Sequence, residues 1–324
     1  MASSKWCICV FLSLLSSIFS IRATIIVVDQ SKRGGFTTVQ AAINSVPSDN
    51  TIWTTIDIKK GIYREQVSIP KDKSFIILKG AGIKNTIISW DGHGPIDTTA
   101  TFSSEANNTI ARDISFINSY NSPPKSNRNP MDQAVAARIK GDKSVFYRCG
   151  FFGLQDTLWD VQGRHYFKSC TIEGAVDFIF GAAQSLYESC TISVVAGSVN
   201  GPGFITAQGR ENPNDMSGFV FNNCNIVGDG KVYLGRPWRN YARVLFYNTQ
   251  MSDIIVPQGW NAWRSTGHEN QLSLSEYKCK GPGSMSSGRV GWAKKLSDGE
   301  ADKLATISFI DNHGWIGNVF KYLN

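Results

Sequence analysis

Histidine is scarce in this chain, and two common kinds of hydrolytic site lack the residues that they need. Only four of the 324 residues are histidine, and neither these nor the seven cysteines have the spacing of zinc ligands. The chain also lacks a Gly-x-Ser-x-Gly sequence, which forms the tight turn that carries the nucleophile in many serine hydrolases. The sequence therefore argues against zinc chemistry and against a Ser-His-Asp triad.

Long apolar segments are absent after the N-terminal region. The single long run, residues 6–19, follows a lysine and precedes Ser20 and Ala23, which are suitable cleavage positions. It is shorter than the roughly 20 residues that a membrane-spanning helix needs. We therefore predict a signal peptide over residues 1–23 and a secreted, extracellular protein with no membrane segment. No Pro/Ser-rich linker or long charge run divides residues 24–324, which predicts one domain there.

Acidic residues are fewer than basic ones. The chain has 33 lysines and arginines but 26 aspartates and glutamates, which gives a formal net charge of +7 and a pI near 9.0. A positive surface attracts polyanions, and for a secreted protein an acidic polysaccharide is a better candidate than nucleic acid. Asn107 begins the one N-glycosylation sequon, Asn-Asn-Thr, so a glycoprotein is expected.

An internal repeat of about 20 residues occupies the middle of the chain. Each copy has an aromatic residue, a central residue three positions later and an apolar residue two positions further. The copies are residues 146–151, 167–172 and 187–192, with looser ones at 221–226 and 246–251. Their aromatic and β-branched residues favour strands, and units this short bury their apolar face only by stacking. We therefore predict an all-β fold, a parallel β-helix; a β-propeller blade normally needs about 40 residues.

Four cysteines occupy the central position of successive copies: Cys149, Cys170, Cys190 and Cys224. In a solenoid, residues at one phase stack about 4.8 Å apart, so these thiols should form an inward ladder. With Cys279, the predicted mature chain keeps an odd number of cysteines, which excludes a fully paired disulfide framework. The regular phase favours packing of thiols over disulfides.

Two short segments have the pattern of helix starts. Thr37 and Gln40 form a capping-box pattern before a short apolar stretch that Pro47 ends, which predicts a short helix over the N-terminal end of the solenoid. Ser297 and Glu300 form a similar pattern near the other end. We therefore expect a short N-terminal capping helix and C-terminal helical or loop segments around the β-helix.

The same repeat places two acidic residues together. Asp156 lies seven residues after Cys149, and Asp177 lies seven residues after Cys170. They should share a phase on adjacent coils, with their side chains on one face. Two carboxylates that close cannot both ionise freely, so one pKa should rise while the other stays low, which makes an acid and a nucleophile from one residue type. Apolar neighbours on both sides argue against ordinary turn aspartates.

At these residues the chain resembles the plant pectinesterases (pectin methylesterases). Five motifs in the family's order carry the resemblance, which covers residues 25–318: Gly61-Ile62-Tyr63-Arg64-Glu65, Gln133-Ala134-Val135-Ala136, Gln155-Asp156-Thr157-Leu158, Asp177-Phe178-Ile179-Phe180-Gly181 and Leu234-Gly235-Arg236-Pro237-Trp238. The resemblance implies a single-stranded, right-handed parallel β-helix whose shallow cleft binds methyl-esterified homogalacturonan (pectin) in the cell wall. It also implies hydrolysis of the methyl ester to methanol with no metal or other cofactor.

The resemblance assigns roles to the residues of these motifs. Asp177, ionised, would attack the ester carbonyl, while Asp156 would give its proton to departing methanol and then act as base on water. Gln133 and Gln155 would donate amide hydrogens to the developing oxyanion, and Arg236 would pair with Asp177. The residues expected to contact substrate are Gln133, Arg236, Trp238, Phe178 and Trp263. Tyr63 and Glu65 are read as structural.

The chain resembles the short form of the family, which lacks an N-terminal inhibitor-like region. Autoinhibition is therefore not expected, a separate pectinesterase inhibitor protein is a candidate partner, and the protein is expected to be a monomer that does not bind nucleic acid or membranes. The segment over residues 95–108, which should help to line the cleft, matches the family pattern poorly around Ile96 and Asp97.

Other functions and residue roles compete with this interpretation. Residues 92–94 and 138–140 imitate two motifs of polygalacturonases, but the other carboxylates that glycosidic hydrolysis requires are missing. A pectate lyase would need a calcium-binding acidic cluster, which is also missing. Arg236 has the alternative of a surface ion pair, and Trp238 and Trp263 have that of core packing. A pectin-binding wall protein with negligible turnover is the alternative to an enzyme.

Overall fold

The computed structural model describes residues 24–33, 35–121 and 131–323. The predicted signal peptide, residues 1–23, lies outside these ranges. Within them the chain forms 25 short strands, which assemble into three parallel sheets of ten, eight and seven strands. A typical coil contributes one strand to each sheet in turn. The described part of the chain is therefore a parallel β-helix, as the repeat predicts.

Sheet A is the longest of the three sheets. Its strands are β1 (Thr24–Val28), β2 (Thr54–Ile58), β5 (Ile76–Lys79), β8 (Thr109–Arg112), β11 (Ser144–Tyr147), β14 (Arg164–Lys168), β17 (Gln184–Glu188), β20 (Gly218–Asn222), β23 (Arg243–Tyr247) and β25 (Ser273–Tyr277). Strands of successive coils pair in parallel throughout, so each side chain repeats its position at the strand spacing of about 4.8 Å.

Sheets B and C form the other two sides of the coils. Sheet B contains β3 (Gly61–Arg64), β6 (Thr86–Trp90), β9 (Ser115–Asn118), β12 (Gly150–Phe152), β15 (Thr171–Gly174), β18 (Thr191–Val195), β21 (Asn225–Asp229) and β24 (Gln250–Met251). Sheet C contains β4 (Val67–Ile69), β7 (Phe102–Ser104), β10 (Ala137–Ile139), β13 (Leu158–Asp160), β16 (Ile179–Gly181), β19 (Gly203–Gln208) and β22 (Val232–Pro237).

The aromatic residue of each repeat copy lies in a continuous inner stack on sheet A. The rings of Phe146, Phe167, Tyr187, Phe221 and Phe246 follow one another with centroid separations of 5.0, 4.6, 4.6 and 4.5 Å and nearly parallel planes. All five are fully buried. Such stacks add to the burial of apolar area that stabilises the solenoid.

Cys149, Cys170, Cys190 and Cys224 form the predicted ladder; Thr249 takes the next position, and Cys279 follows on the coil after it. All five described cysteines are unpaired. Each thiol from Cys170 on lies against the backbone oxygen of the aromatic residue one coil earlier, as in Cys170 Sγ to Phe146 O at 3.3 Å. Cys279 continues the series with a contact to Phe246 O at 3.2 Å. The prediction of packing rather than disulfides is confirmed.

The N-terminal helix α1 (Val39–Ser45) is present, but its start differs from the predicted capping box. The N-cap is Thr38, whose side chain accepts a hydrogen bond from Ala41 N, rather than Thr37. The carboxylate of Glu65 accepts from the N–H groups of Val39 and Gln40 at 2.8 and 2.9 Å. The Glu65 carboxylate, one residue after β3, thus satisfies two N–H groups of the first turn, while the Gln40 side chain bonds to Asn44 and Ser68. Glu65 is structural, as expected.

The C-terminal segment covers the outer face of sheet A. Helix α3 (Asp298–Leu304) begins at the predicted capping box of Ser297 and Glu300. Outward apolar residues of sheet A, including Val145, Leu186 and Val220, pack against this segment. The remaining helices are α2 (Ile96–Thr99), α4 (Trp315–Val319) and the 3-10 turns Ala196–Ser198, Trp263–Ser265, Glu269–Gln271, Pro282–Ser284, Ser286–Gly288, Ile307–Phe309 and Phe320–Tyr322. None of the described helices has the length and hydropathy required to cross a membrane.

Candidate active site

The register of sheet C places the two predicted acids side by side on adjacent coils. Leu158 in β13 lies opposite Ile179 in β16, and Gln155 forms a parallel bridge with Val176. Asp156 and Asp177 occupy the position after this bridge on adjacent coils, so their backbones are one strand spacing apart, about 4.8 Å. Their equal offset from the ladder cysteines predicts this arrangement.

Both acids lie in the left-handed backbone region, where the chain turns into sheet C. Their φ angles are 61° for Asp156 and 47° for Asp177, a conformation that aspartate tolerates better than most residues. The turn directs the two side chains to the outer face. It also sends Phe178 into the core, where it is fully buried. The prediction that Phe178 contacts substrate is therefore wrong; Phe180, two residues later in the alternating strand, lines the outer cleft instead.

One residue from each of five successive strands of sheet C forms what we call the outer row: Arg138, Trp159, Phe180, Ala207 and Arg236. Its middle members belong to an apolar surface cluster with Ala100 and Val135, against which Ile96 and Trp238 pack. This apolar floor borders the two acids and keeps water away from them, which disfavours their charged forms.

The acids open into a cleft of about 260 Å³. It is lined by Ile96, Gln133, Gln155, Asp156, Asp177, Phe180, Ala207, Arg236, Trp238, Trp263 and Arg264. Every predicted site residue except Phe178 therefore lies at one place. The poorly matching segment does contribute to this cleft through Ile96, while Asp97 lines the neighbouring groove.

Asp177 is held by a two-pronged ion pair. Arg236 Nε donates to Asp177 Oδ1 at 2.8 Å, and Arg236 Nη2 donates to Oδ2 at 2.5 Å. The guanidinium is itself enclosed, with its Cζ 4.0 Å from the ring centre of Phe204 and 4.1 Å from that of Trp263. Bidentate pairing fixes both the orientation and the charge of a carboxylate.

Asp156 has a different environment from its partner. It is 4% exposed, and Gln133 Nε2 donates to its Oδ2 at 2.8 Å. Burial, and then the charge of Asp177, raise the pKa of Asp156 to about 7, against the opposing effect of the Gln133 hydrogen bond. Burial also raises the pKa of Asp177, so it does not stay low as predicted, but the hydrogen bonds and charge of Arg236 oppose this rise. The site thus favours a protonated Asp156 beside an ionised Asp177.

The remaining predicted residues frame this pair. Gln155 reaches the cleft, and its side chain makes no hydrogen bond to another residue of the described part of the chain. The ring of Trp238 lies edge-on to Phe180 at 5.9 Å. Trp263 covers Arg236, so both tryptophans lie at the cleft rather than in the main core.

Sequence reasoning missed Phe180, Ala207, Phe204 and Arg264. Side chains of β16 alternate between the two faces of the sheet. The sequence therefore predicts that Phe180 faces outward once the turn at Asp177 is known to interrupt the alternation. Nothing local marks Phe204, because its contact with Arg236 joins two coils. Nothing in the sequence shows that the left-handed turn at Trp263 brings Arg264 to the cleft.

Comparison with known proteins places this chain in one family. The sequence model of the pectinesterase family matches residues 25–313. The chain is 51% identical over 314 residues to probable pectinesterase 29 of Arabidopsis thaliana, and the match covers 96% of this chain and 94% of that protein.

Solved structures give the same result. The pectin methylesterase from carrot superposes with a TM-score of 0.83 at 32% identity, over 92% of this chain and 96% of that one. A pectin methylesterase in complex with hexasaccharide VII superposes with a TM-score of 0.76 at 25% identity, over 89% and 97% of the two chains. These likenesses confirm the right-handed parallel β-helix. By sequence and by fold, the chain belongs to the pectinesterase family.

Proposed function

We propose that this pectinesterase hydrolyses the methyl esters of homogalacturonan in pectin and releases methanol, with Asp177 as nucleophile and Asp156 as acid and base. Its family membership supports the reaction, and a related pectin methylesterase bound to a hexasaccharide supports an oligosaccharide-binding cleft. The observation that carries the mechanism is the pairing of an Arg236-bound Asp177 with an Asp156 whose pKa is raised to about 7.

In the first half of the reaction, the Asp177 carboxylate attacks the ester carbonyl carbon. The tetrahedral intermediate collapses as its C–O bond to the methoxy group breaks, and the methoxy oxygen takes the proton of Asp156. Methanol leaves, Asp156 is now ionised, and Asp177 holds the galacturonyl group as a mixed anhydride. A raised pKa suits Asp156 to this donation near neutral pH.

The negative oxygen of each tetrahedral intermediate needs hydrogen-bond donors. The amide of Gln133 has two hydrogens, and only one of them is used on Asp156. The unengaged amide of Gln155 lies in the same cleft. Removal of one donor of this kind typically costs about 3 kcal/mol of barrier.

In the second half, the ionised Asp156 takes a proton from water, and the resulting hydroxide attacks the galacturonyl carbonyl of the anhydride. The bond to Asp177 breaks, which restores both side chains and leaves a carboxylic acid that ionises in solution. The exposed parts of Trp238 and Trp263 offer flat apolar faces on which sugar rings pack.

The direct test is methanol release from methyl-esterified pectin by the wild type and by Asp177→Asn. The substitution keeps the shape of the side chain but removes its nucleophilic charge, so turnover should fall about 10⁴-fold or more. Asp253→Asn, at an exposed aspartate outside the cleft, is the matched control and should keep wild-type turnover.

Circular dichroism of each variant separates loss of chemistry from loss of fold. Wild-type turnover by folded Asp177→Asn would refute the nucleophile assignment. Binding of pectin by the wild type without any methanol release would instead support the alternative of a wall-binding protein.

Further parts of the proposal concern the setting of the enzyme. We propose that residues 1–23 direct secretion to the cell wall and that residues 24–324 form one domain. We also propose that the protein acts as a monomer and is a target of a separate inhibitor protein. A single continuous core runs through the coils from Val28 to Leu274, which supports the single domain.

A further inference from the structure

The segment at the edge of the catalytic cleft has an unusual backbone. Trp263 has a φ of 44°, a left-handed conformation that is a genuine outlier for a bulky residue and points to function when the surroundings enforce it. Here they do: Asn261 Oδ1 accepts a hydrogen bond from Trp263 N at 2.8 Å, and the following Ser265 is buried. The result is that two successive side chains, Trp263 and Arg264, both reach the cleft.

These side chains continue the stack that encloses Arg236. The Arg236 guanidinium contacts the rings of both Phe204 and Trp263. Arg264 lies over the same indole ring, with its Cζ 4.6 Å from the ring centre. The Trp263 ring therefore joins a cation that holds the nucleophile to a second cation at the cleft edge.

Arg264 differs from the other two arginines of this region in having no charge partner. Arg236 pairs with Asp177, and Arg239 pairs with Glu211 at 2.7 Å. Arg264 is exposed and has no carboxylate within salt-bridge distance and no hydrogen bond among the residues that the structure describes. Its guanidinium donors are thus open to a ligand.

Its position is between two hollows. Arg264 lines the catalytic cleft and also the adjoining hollow of about 380 Å³. The other residues of this hollow are Glu211, Trp238, Arg239 and Asn240, and the Glu211 carboxylate is paired with Arg239. This adjoining hollow offers a path for the next sugar of a polymer that places one sugar over the acids. Arg264 is therefore next to the sugar that neighbours the reacting one.

The chemistry of the proposed substrate supplies the ligand. Each sugar of partly esterified homogalacturonan carries either a neutral methyl ester or an anionic carboxylate. A planar guanidinium binds a carboxylate through two parallel hydrogen bonds and its charge, whereas an ester offers neither the charge nor a second anionic oxygen. We propose that Arg264 is a specificity-determining residue that binds the ionised carboxylate of the sugar beside the reacting ester.

This inference rests on the proposed function and adds a rule for which esters react first. Esters next to an existing carboxylate are preferred.

Binding of fully de-esterified hexagalacturonate, measured by titration calorimetry, tests Arg264 without requiring turnover. Arg264→Gln should weaken binding about fivefold, which is the size expected for one partly exposed ion pair. Arg264→Glu should weaken it further, and Arg264→Lys should retain part of the affinity. The difference between wild type and Arg264→Gln should shrink in high salt, because salt screens exposed charges.

Lys84→Gln is the matched control for net charge. Lys84 is exposed and lies between β5 and β6, at the corner of sheets A and B and away from sheet C. This variant loses the same single charge and should bind hexagalacturonate as the wild type does. Equal affinity of Arg264→Gln and wild type, or an equal loss in Lys84→Gln, would overturn the assignment.

A second measurement links the binding to the reaction. Methanol release is followed from two hexagalacturonates, one esterified at a single internal sugar and one fully esterified. The wild type should show a several-fold higher kcat/KM per ester on the first, and Arg264→Gln should lose this ratio mainly through KM. A wild-type ratio retained by Arg264→Gln would refute the specificity role while leaving the proposed function intact. Absence of methanol from both substrates would refute the proposed function, and the calorimetry would still decide on Arg264.

Discussion

The inner and outer faces of the same coils follow different rules. Inside, the stack from Phe146 to Phe246 and the cysteine ladder repeat nearly the same side chain on every coil. Outside, the outer row of sheet C changes from Arg138 through aromatic residues and alanine to Arg236 over five strands. Each inner residue meets the same neighbours one coil away, whereas each outer residue meets only its local surface and whatever binds there.

This difference between the two faces indicates where binding and catalytic residues lie in a solenoid. Repetition maintains the fold, because identical phases bury identical side chains. A departure from repetition on one face does not serve the stacking of the coils, so it points to binding or catalysis. The acids Asp156 and Asp177 are intermediate: they repeat each other in position but differ in partner, Gln133 for one and Arg236 for the other.

The largest expected effect comes from breaking the outer face at Arg236. Arg236→Gln leaves a mostly buried Asp177 without its counter-charge, which raises the pKa of Asp177 and misorients it. Turnover on methylated pectin should fall about a thousandfold, or about 4 kcal/mol. Arg138→Gln, in the same row and also paired with a carboxylate, is the control and should cost less than about tenfold. Equal losses in the two variants would contradict a special role for Arg236.

A change on the inner face should lower stability and leave turnover nearly unchanged. Phe167→Ala removes a fully buried ring from the middle of the aromatic stack and should lower the free energy of unfolding by about 3 kcal/mol. Turnover per folded molecule should stay near that of wild type. Denaturant titration measures the loss, and Phe152→Ala, on the half-buried outer side of sheet B, should cost about 1 kcal/mol. A similar loss at both sites would show that the aromatic stack contributes no more to the free energy of unfolding than a half-buried outer ring does.

A buried hydrogen-bond network of Tyr187, Asp160 and His165 gives a further test of the inner face. Tyr187, a member of the inner stack, donates to Asp160 Oδ2 at 2.6 Å, and Asp160 Oδ1 contacts His165 Nδ1 at 2.5 Å. Burial raises the pKa of Tyr187, so it remains a donor. Tyr187→Phe leaves a buried carboxylate oxygen without that donor and should cost about 2 kcal/mol of stability.

Tyr166→Phe is the matched control for this network. Its hydroxyl donates to the partly exposed Glu188, where water can replace the lost donor, so the loss of stability should be smaller. Denaturant midpoints that move equally in the two variants would argue against a structural role for the Asp160 network.

Much of this comparison could be predicted from the sequence, because the repeat fixes phase. Equal offsets from Cys149 and Cys170 were enough to place Asp156 beside Asp177 on one face. The aromatic positions and the buried thiols follow from the same period. These are features that one coil and its neighbour determine together.

Features that depend on distant segments or on a turn that breaks alternation could not be predicted. Glu65, just after β3 and more than twenty residues from α1, accepts from the first turn of that helix, and the local box at Thr37 predicts the wrong N-cap. Left-handed Asp177 sends Phe178 inward, against the expectation that it faces the cleft. Arg264 reaches the site only through the strained turn at Trp263.

The central claim is that the acid pair titrates with Asp156 protonated and Asp177 ionised near neutral pH. The measurement that tests it is the pH dependence of kcat/KM, compared between wild type and Gln133→Leu. Because the first step needs protonated Asp156, wild-type activity should be lost as pH rises through about 7. The Gln133 hydrogen bond lowers the pKa of Asp156, so its removal should move this alkaline limb to higher pH while the maximal rate falls. An alkaline limb near the ordinary carboxyl range, or one that Gln133→Leu leaves in place, would contradict the account.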